Sequence, residues 1–140
     1  MVDSALLASK LSAIRDAVER IRVVLPESSD TFLNDRTQRE VVTLNLFVAI
    51  QECIALASHI VADAGWAVPK TYAESFTVLA ERQVLDVELA ERMRAAAGLR
   101  NLLALQYGTI DFDRLYGFVA SRLGDLSNYC SAVAHWSRNP

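Results

Sequence analysis

Glycine and proline are scarce in this sequence. Five glycines and three prolines are 8 of 140 residues, about 6%, against roughly 12% in average proteins. Because these residues form most turns between strands, their scarcity argues against an all-β fold with many hairpins. Disorder is excluded as well, since 52% of the residues are hydrophobic, slightly more than the roughly 45–50% of an ordinary domain. We predict one folded domain over residues 1–140.

The sequence also has few cysteines and no excess of basic charge. Cys53 and Cys130 are far apart, each within an apolar helical pattern, and this favours buried reduced thiols over a disulfide framework. The chain has 14 basic and 17 acidic residues, a net charge of −3. A generally basic surface that binds nucleic acid along its length is therefore excluded, and any contact with nucleic acid must be local.

Signals for export, membrane insertion or metal binding are weak. The first ten residues contain Asp3 and no basic segment before an apolar core, unlike a signal peptide. The longest apolar tract, residues 41–62, is interrupted by Asn45, Gln51, Glu52 and His59. We therefore predict a buried helix of a cytoplasmic protein that does not enter a membrane.

Motifs for metals and cofactors are absent from the sequence. There is no Cys-x-x-Cys, no glycine-rich phosphate loop and no Gly-x-Ser-x-Gly. Neither His59 nor His135 has a glutamate three residues before it, as a di-iron bundle would require. We expect no metal and no cofactor, and we interpret His59 as a hydrogen-bonded packing residue.

Apolar residues recur at helical spacing through most of the chain. The first predicted helix runs from about Ser4 to near Pro26 and is followed by a short loop, PESSD. The second begins between Asp30 and Asp35 and continues to Ala64. The others run from a capping box at residues 71–74, from Val87 to about Tyr107, and from Asp111 onward. Four of these helices are long and one is short. The pattern predicts an all-α antiparallel four-helix bundle with one additional short helix.

The segment GLRNLLALQYG, residues 98–108, contains the candidate site. Arg100 and Tyr107 are seven residues apart, about 20° out of register on an unbroken helix, so they are predicted to share a face with the small Ala104 between them. Asn101 adds amide donors, and the set suits a phosphate. From this helix alone, an ordinary surface arginine and a tyrosine near a helix end explain the pattern better.

Three blocks of the chain resemble the HepT-like proteins of the HEPN superfamily: LNLFVAIQECIALASHIVAD, VPKTYAESFTVLAE and MRAAAGLRNLLALQYGTIDFDRLY. These are small all-α prokaryotic proteins, often encoded beside a minimal nucleotidyltransferase, the MNT partner. The last block matches the family signature, which is Arg, four residues, His, one residue, Tyr. Arg100 matches the arginine, Asn101 the polar residue that commonly follows it, and Tyr107 the tyrosine. Leu105 stands at the histidine position.

The resemblance implies the toxin of a type II HEPN/MNT toxin–antitoxin pair, a metal-independent ribonuclease. In that chemistry a histidine moves protons while an arginine offsets charge on the phosphorane. The side chain of Leu105 can neither accept nor donate a proton, so we expect this chain to be catalytically inactive or inactivated. A selected or deliberate inactivation is favoured over a natural pseudoenzyme because Arg100, Asn101 and Tyr107 all remain. The sequence does not tell whether Leu105 is native.

The resemblance also implies partners. Position 105 is about 140° around a helix from Arg100, so a homodimer, in which two motifs line one cleft, would bring the groups together on RNA, either tRNA or mRNA. In the family the MNT antitoxin transfers AMP to the signature tyrosine, here Tyr107. Two alternatives remain. One is a non-catalytic HEPN dimer that binds a nucleotidyltransferase or a nucleotide, and the other is a structural dimerisation bundle in which Arg100 only forms an ion pair.

Overall fold

The computed structural model describes residues 3–139, which contain helices and no strand. The helices are α1 (Ser4–Val24), α2 (Ser29–Leu33), α3 (Arg36–Asp63), α4 (Tyr72–Glu81), α5 (Val87–Leu105) and α6 (Phe112–Arg138). A 3₁₀ turn, Tyr107–Thr109, lies between α5 and α6. Four helices are long and form the bundle, which confirms the predicted all-α fold.

Most helix ends lie where the sequence predicts them. Asp86 accepts a hydrogen bond from the backbone N–H of Leu89 at 2.7 Å and caps α5. The hydroxyl of Thr71 accepts from the N–H of Glu74 at 3.1 Å and caps α4. These caps satisfy amide groups that have no partner within the first turn of a helix, so short polar residues fix the starting points.

One short helix, α2, is not predicted as a separate element from the sequence, because its residues fall in the loop and at the start of the second predicted helix. The hydroxyl of Ser28 caps α2 by accepting from the N–H of Thr31 at 3.2 Å. Phe32 is fully buried and its ring centroid lies 5.5 Å from that of Tyr116 on α6. A five-residue helix with one buried residue is too short to show an apolar period, so periodicity could not reveal it.

The central element of the bundle is α3, which packs against α1, α4, α5 and α6. By length and composition α3 could cross a membrane, with a mean hydropathy of 1.8 over its most apolar 18 residues. Half of that window is buried inside the protein, however, and the buried positions run from Val42 to Val61. This pattern is typical of the core helix of a helical bundle.

Polar contacts fix α3 against its neighbours. The hydroxyl of Tyr129 on α6 donates to the backbone carbonyl of Cys53 at 2.9 Å, and both residues are fully buried. Lys10 on α1 pairs with Glu52 at 2.8 Å. Cys53 and Cys130 are buried free thiols, as predicted. These contacts fix the middle of α3. The polar residue Gln51 in this part of α3 therefore lies beside the end of α5.

Candidate functional site

Arg100, on the last part of α5, is held in place by hydrogen bonds from its guanidinium. Its Nε donates to Oε1 of Gln51 on α3 at 2.7 Å. Its Nη1 donates to Oδ1 of Asn101 at 3.0 Å. Both acceptors are neutral amides, so they orient the cation without neutralising it.

Two aromatic rings support the same guanidinium. The Cζ atom of Arg100 lies 5.3 Å from the ring centroid of Phe47 on α3 and 5.1 Å from that of Tyr72 at the start of α4. These distances are typical of cation–π contacts. Arg100 makes no ion pair with a carboxylate of residues 3–139. A half-buried, oriented arginine without an acidic partner is suited to bind a phosphate.

Leu105 is the last residue of α5, and 80% of its surface is exposed. The side chain therefore adds nothing to the core of this chain. An imidazole at this position would reach solvent on the same helix that holds Arg100, whereas the leucine has no group that accepts or donates a proton. Asn101, one helical turn earlier, is also exposed.

The placement of Tyr107 differs from the sequence prediction. The helix α5 ends at Leu105, and Gln106 has φ −133° and ψ 36°, outside the helical region. Both the N–H and the hydroxyl of Thr109 donate to the carbonyl of Gln106, at 2.9 and 3.0 Å, closing a 3₁₀ turn. Tyr107 lies in that turn, so the prediction that it shares a helical face with Arg100 is wrong.

The ring of Tyr107 packs beside the start of α6. It is half exposed and meets Phe112 edge-on, with centroids 6.4 Å apart. The guanidinium of Arg39 lies 5.4 Å from the centroid of the Phe112 ring. The pKa of Arg36 is raised, chiefly by its hydrogen bond to Glu40 and to a smaller extent by the nearby Tyr107 phenol. Arg36 of the first turn of α3 therefore lies near this tyrosine, and Arg39 lies against the Phe112 ring that the tyrosine contacts.

A groove with a volume of about 610 Å³ opens on the α4 side of Arg100. Its walls come from the C-terminal half of α3, the segment that joins α3 to α4, the start of α4, and the end of α5. The lining residues are Ser58, Val61, Ala62, Val68, Pro69, Lys70, Thr71, Tyr72, Ser75, Asn101 and Leu105. Two predicted site residues, Asn101 and Leu105, thus face one cavity.

Several residues around Arg100 were missed by sequence reasoning. Gln51, Phe47 and Tyr72 come from α3 and α4, and no local pattern links them to Arg100. Gln51 attracted notice only as an interruption of an apolar tract. A polar residue in the middle of a core helix is a signal for a buried or half-buried hydrogen bond, and here its partner is the motif arginine.

The histidine prediction is also corrected. His59 is exposed and makes no hydrogen bond with residues 3–139, so it is not a packing residue. It is on the outer side of α3, beside Asp3 and Asp63. Among the residues that the structure describes, no three His, Cys, Asp or Glu side chains are grouped to hold a metal ion. Asp111 caps α6 through the N–H groups of Asp113 and Arg114.

The sequence resembles proteins of known activity over most of its length. It is 27% identical over 128 residues to an mRNA nuclease HepT of Shewanella oneidensis, covering 91% of this chain and 96% of the relative. It is 24% identical over 132 residues to a tRNA nuclease HepT of Aphanizomenon flos-aquae, covering 94% and 90%.

The fold is also found in a solved structure. The tri-AMPylated HEPN toxin of Shewanella oneidensis, in complex with an MNT antitoxin, superposes with a TM-score of 0.87 at 25% identity, covering 95% of this chain and 99% of the toxin. The sequence profile of the HepT-like ribonucleases matches residues 14–133. This chain, a homologue of HEPN toxins, therefore belongs to the HepT-like ribonuclease family.

Proposed function

We propose that this chain is the toxin component of a HEPN/MNT toxin–antitoxin pair and that it retains the RNA site but lacks the proton-transfer group of a ribonuclease. The observation that carries the proposal is the state of Arg100, which is oriented by Gln51 and Asn101 and has no acidic partner in residues 3–139. Its place in the motif, five residues before the exposed Leu105, supports the same site. The substrate class is mRNA or tRNA, as in the named relatives.

The missing step follows from the chemistry of RNA cleavage. The 2′-oxygen forms a bond to the adjacent phosphorus while the bond from phosphorus to the 5′-oxygen breaks. One group must remove the 2′ proton, and one must give a proton to the departing 5′-oxygen. Arg100 stabilises negative charge on the phosphorane, but Leu105 moves no proton. Loss of a general acid or base lowers the rate by about 10²–10⁴-fold, which makes the chain inactive or nearly so.

The site is completed by a homodimer in this proposal. Leu44 and Val48 on α3 are 63% and 37% exposed and lie on the same helical face as Gln51. On α5, Leu102 and Leu105 are 39% and 80% exposed. Exposed apolar side chains on both helices that hold Arg100 favour an interface with a second copy. A twofold axis there brings two motifs to one cleft.

The MNT partner acts at Tyr107 in this proposal. The tyrosine is half exposed, and its hydroxyl makes no hydrogen bond with residues 3–139. Transfer of AMP joins that oxygen to the α-phosphorus of ATP and releases pyrophosphate. The added phosphate lies on the side of Arg36, and its bulk and negative charge oppose RNA binding. The pair acts in the cytoplasm, where ATP and RNA are available.

Growth of a bacterial host that expresses variants of the chain tests the proposal. The wild-type chain leaves growth unchanged, and Leu105→His arrests it. Val87→His is the matched control, because it places a histidine at an exposed position of α5 outside the proposed site and dimer interface, and it leaves growth unchanged. Arg100→Ala added to Leu105→His restores growth. If the folded Leu105→His variant is harmless and does not cut RNA, the non-catalytic alternative, a dimer that binds its nucleotidyltransferase, is correct.

Mass spectrometry tests the role of the tyrosine. Incubation with the cognate nucleotidyltransferase and ATP adds AMP to the wild-type chain, and a peptide map locates the adduct at Tyr107. The variant Tyr107→Phe remains unmodified. Tyr72→Phe, which keeps the ring beside Arg100 and removes another exposed phenol, is modified as the wild type is. An adduct on Tyr72 or on no residue contradicts this part of the proposal.

A further inference from the structure

The groove beside Asn101 has a polar floor. Ser75 on α4 lines it, is 1% exposed, and its side chain makes no hydrogen bond with residues 3–139. The exposed amide of Asn101 and the hydroxyl of Thr71 line the same groove. These groups offer both donors and acceptors to a ligand that enters it.

The walls of the groove are apolar and strongly exposed. Val68, in the segment before α4, is 85% exposed, and Leu105 is 80% exposed. Tyr72 lines the groove and is 44% exposed, while its ring also contacts the guanidinium of Arg100 at 5.1 Å. The groove therefore adjoins the cation that would hold a phosphate. Flat apolar walls with an aromatic ring suit a planar heterocycle.

The charge of the groove is compatible with RNA although the whole chain is acidic. Among residues 3–139, Lys70 is its single charged lining residue, and no carboxylate of these residues lines it. A cavity of about 430 Å³ between α5 and α6 differs in charge, because its lining includes three carboxylates and two guanidinium groups, those of Glu88, Glu91, Asp125, Arg92 and Arg122. Glu74, in the first turn of α4, is not among the lining residues. Its carboxylate accepts a hydrogen bond from the backbone N–H of Lys70 at 2.8 Å.

We propose that this groove binds a nucleobase of RNA beside the phosphate held by Arg100. The inference rests on the proposed RNA site and adds to it a determinant of sequence preference. The base packs against Val68 and Tyr72, and its polar edge meets the hydroxyl of Ser75 and the amide of Asn101. The adenine attached to a modified Tyr107 is not the occupant, because that tyrosine does not line the groove and packs on Phe112 instead.

Binding of fluorescent single-stranded RNA to the purified full-length chain tests the proposal. Val68→Asp places a carboxylate in the groove, and it weakens binding about ten-fold or more, as expected for the loss of one stacked base. The matched control is Val87→Asp, at an exposed valine that does not line the groove, and it leaves the affinity within about two-fold. Both valines are exposed, so both variants fold.

A scan with abasic nucleotides makes the test specific for a base. Removing one base at a time weakens binding to the wild-type chain at one position, and the same removal has no further effect on Val68→Asp. Ser75→Ala changes the order of affinity among the four homopolymers. The proposal is overturned if Val68→Asp and Val87→Asp bind alike while Arg100→Ala weakens binding. If the wild-type chain binds no RNA, the proposed RNA site fails together with the groove.

Discussion

The chemistry of this chain depends on a few residues whose environments differ sharply. Leu105 is exposed and adds nothing to the core of this chain, whereas Arg100 is fixed by Gln51 and two rings. The apolar spacing in the sequence was sufficient to predict one helix that contains Arg100, Asn101 and Leu105, and the structure has them in the last turns of α5. It could not predict Gln51, because a contact 49 residues away depends on how two helices pack and not on local pattern.

At the residue scale, three buried groups predict how stability depends on pH. Burial raises the pKa of Cys130 to about 11, and it raises the pKa of Cys53 and of Tyr129 well above their usual values. Thiols of the unfolded chain lose protons above about pH 8.5, while the folded chain keeps them. Because the unfolded state then binds fewer protons, the free energy of unfolding falls as pH rises from about 8.5 towards 11.

Urea denaturation at a series of pH values measures this effect. The double variant Cys53→Ala/Cys130→Ala is the control, since it lacks both thiols and keeps Tyr129. We expect its free energy of unfolding to fall less steeply above about pH 8.5 than that of the wild-type chain. Equal slopes for the two proteins would show that the thiols ionise alike in the folded and unfolded states.

At the scale of helices, caps explain which boundaries the sequence predicts. Side chains of Thr71, Asp86 and Asp111 accept backbone N–H groups at three helix starts, and these residues are visible in the sequence. The end of α5 was harder to place. Gly108 suggested a helix that continues to Tyr107, but the carbonyl of Gln106 is taken by Thr109 and the helix ends two residues earlier. The spacing of apolar residues does not show whether the backbone continues its helical hydrogen bonds or closes a turn instead.

The end of α3 gives a prediction about backbone conformation. Gly65 follows α3 with φ +71°, and no atom lies within 4 Å of a Cβ added there. Gly65→Ala therefore causes no clash, but it lowers the free energy of unfolding by about 1–2 kcal/mol because alanine resists this conformation. Gly117 lies within α6, and a Cβ added there also meets no atom within 4 Å. Gly117→Ala therefore raises the free energy of unfolding by about 0.5–1 kcal/mol, because alanine favours a helix more than glycine does. Chemical denaturation measures both, and equal effects of the two substitutions would contradict the helix-end argument.

On the scale of the whole molecule, the apolar composition and the mild acidity have a common explanation. The sequence is 52% hydrophobic with a net charge of −3, and part of the apolar surface stays exposed at Leu44, Leu102 and Leu105. In the proposed homodimer, a second copy would cover this surface and account for the excess. The same arrangement would place two Arg100 side chains in one cleft and give locally positive charge on an acidic protein.

Light scattering at micromolar concentration tests this arrangement. We expect the wild-type chain to be a dimer. Leu44→Asp places a charge on the exposed face of α3 and shifts the chain to monomer, since burying an unpaired carboxylate is costly. Val23→Asp, at a valine of α1 that is 76% exposed, leaves the dimer intact. A monomeric wild-type chain, or an unchanged dimer for Leu44→Asp, would contradict the proposed interface.

The most direct test of the account is the rate at which purified Leu105→His cleaves RNA under single-turnover conditions, compared with the wild-type chain. Because Leu105 is 80% exposed, the substitution leaves the fold intact while it supplies an imidazole. The account predicts a rate at least about 10²-fold above wild type, with no increase for Val87→His and with the gain lost in Arg100→Ala/Leu105→His. A folded, dimeric Leu105→His chain that cuts RNA no faster than wild type would contradict it.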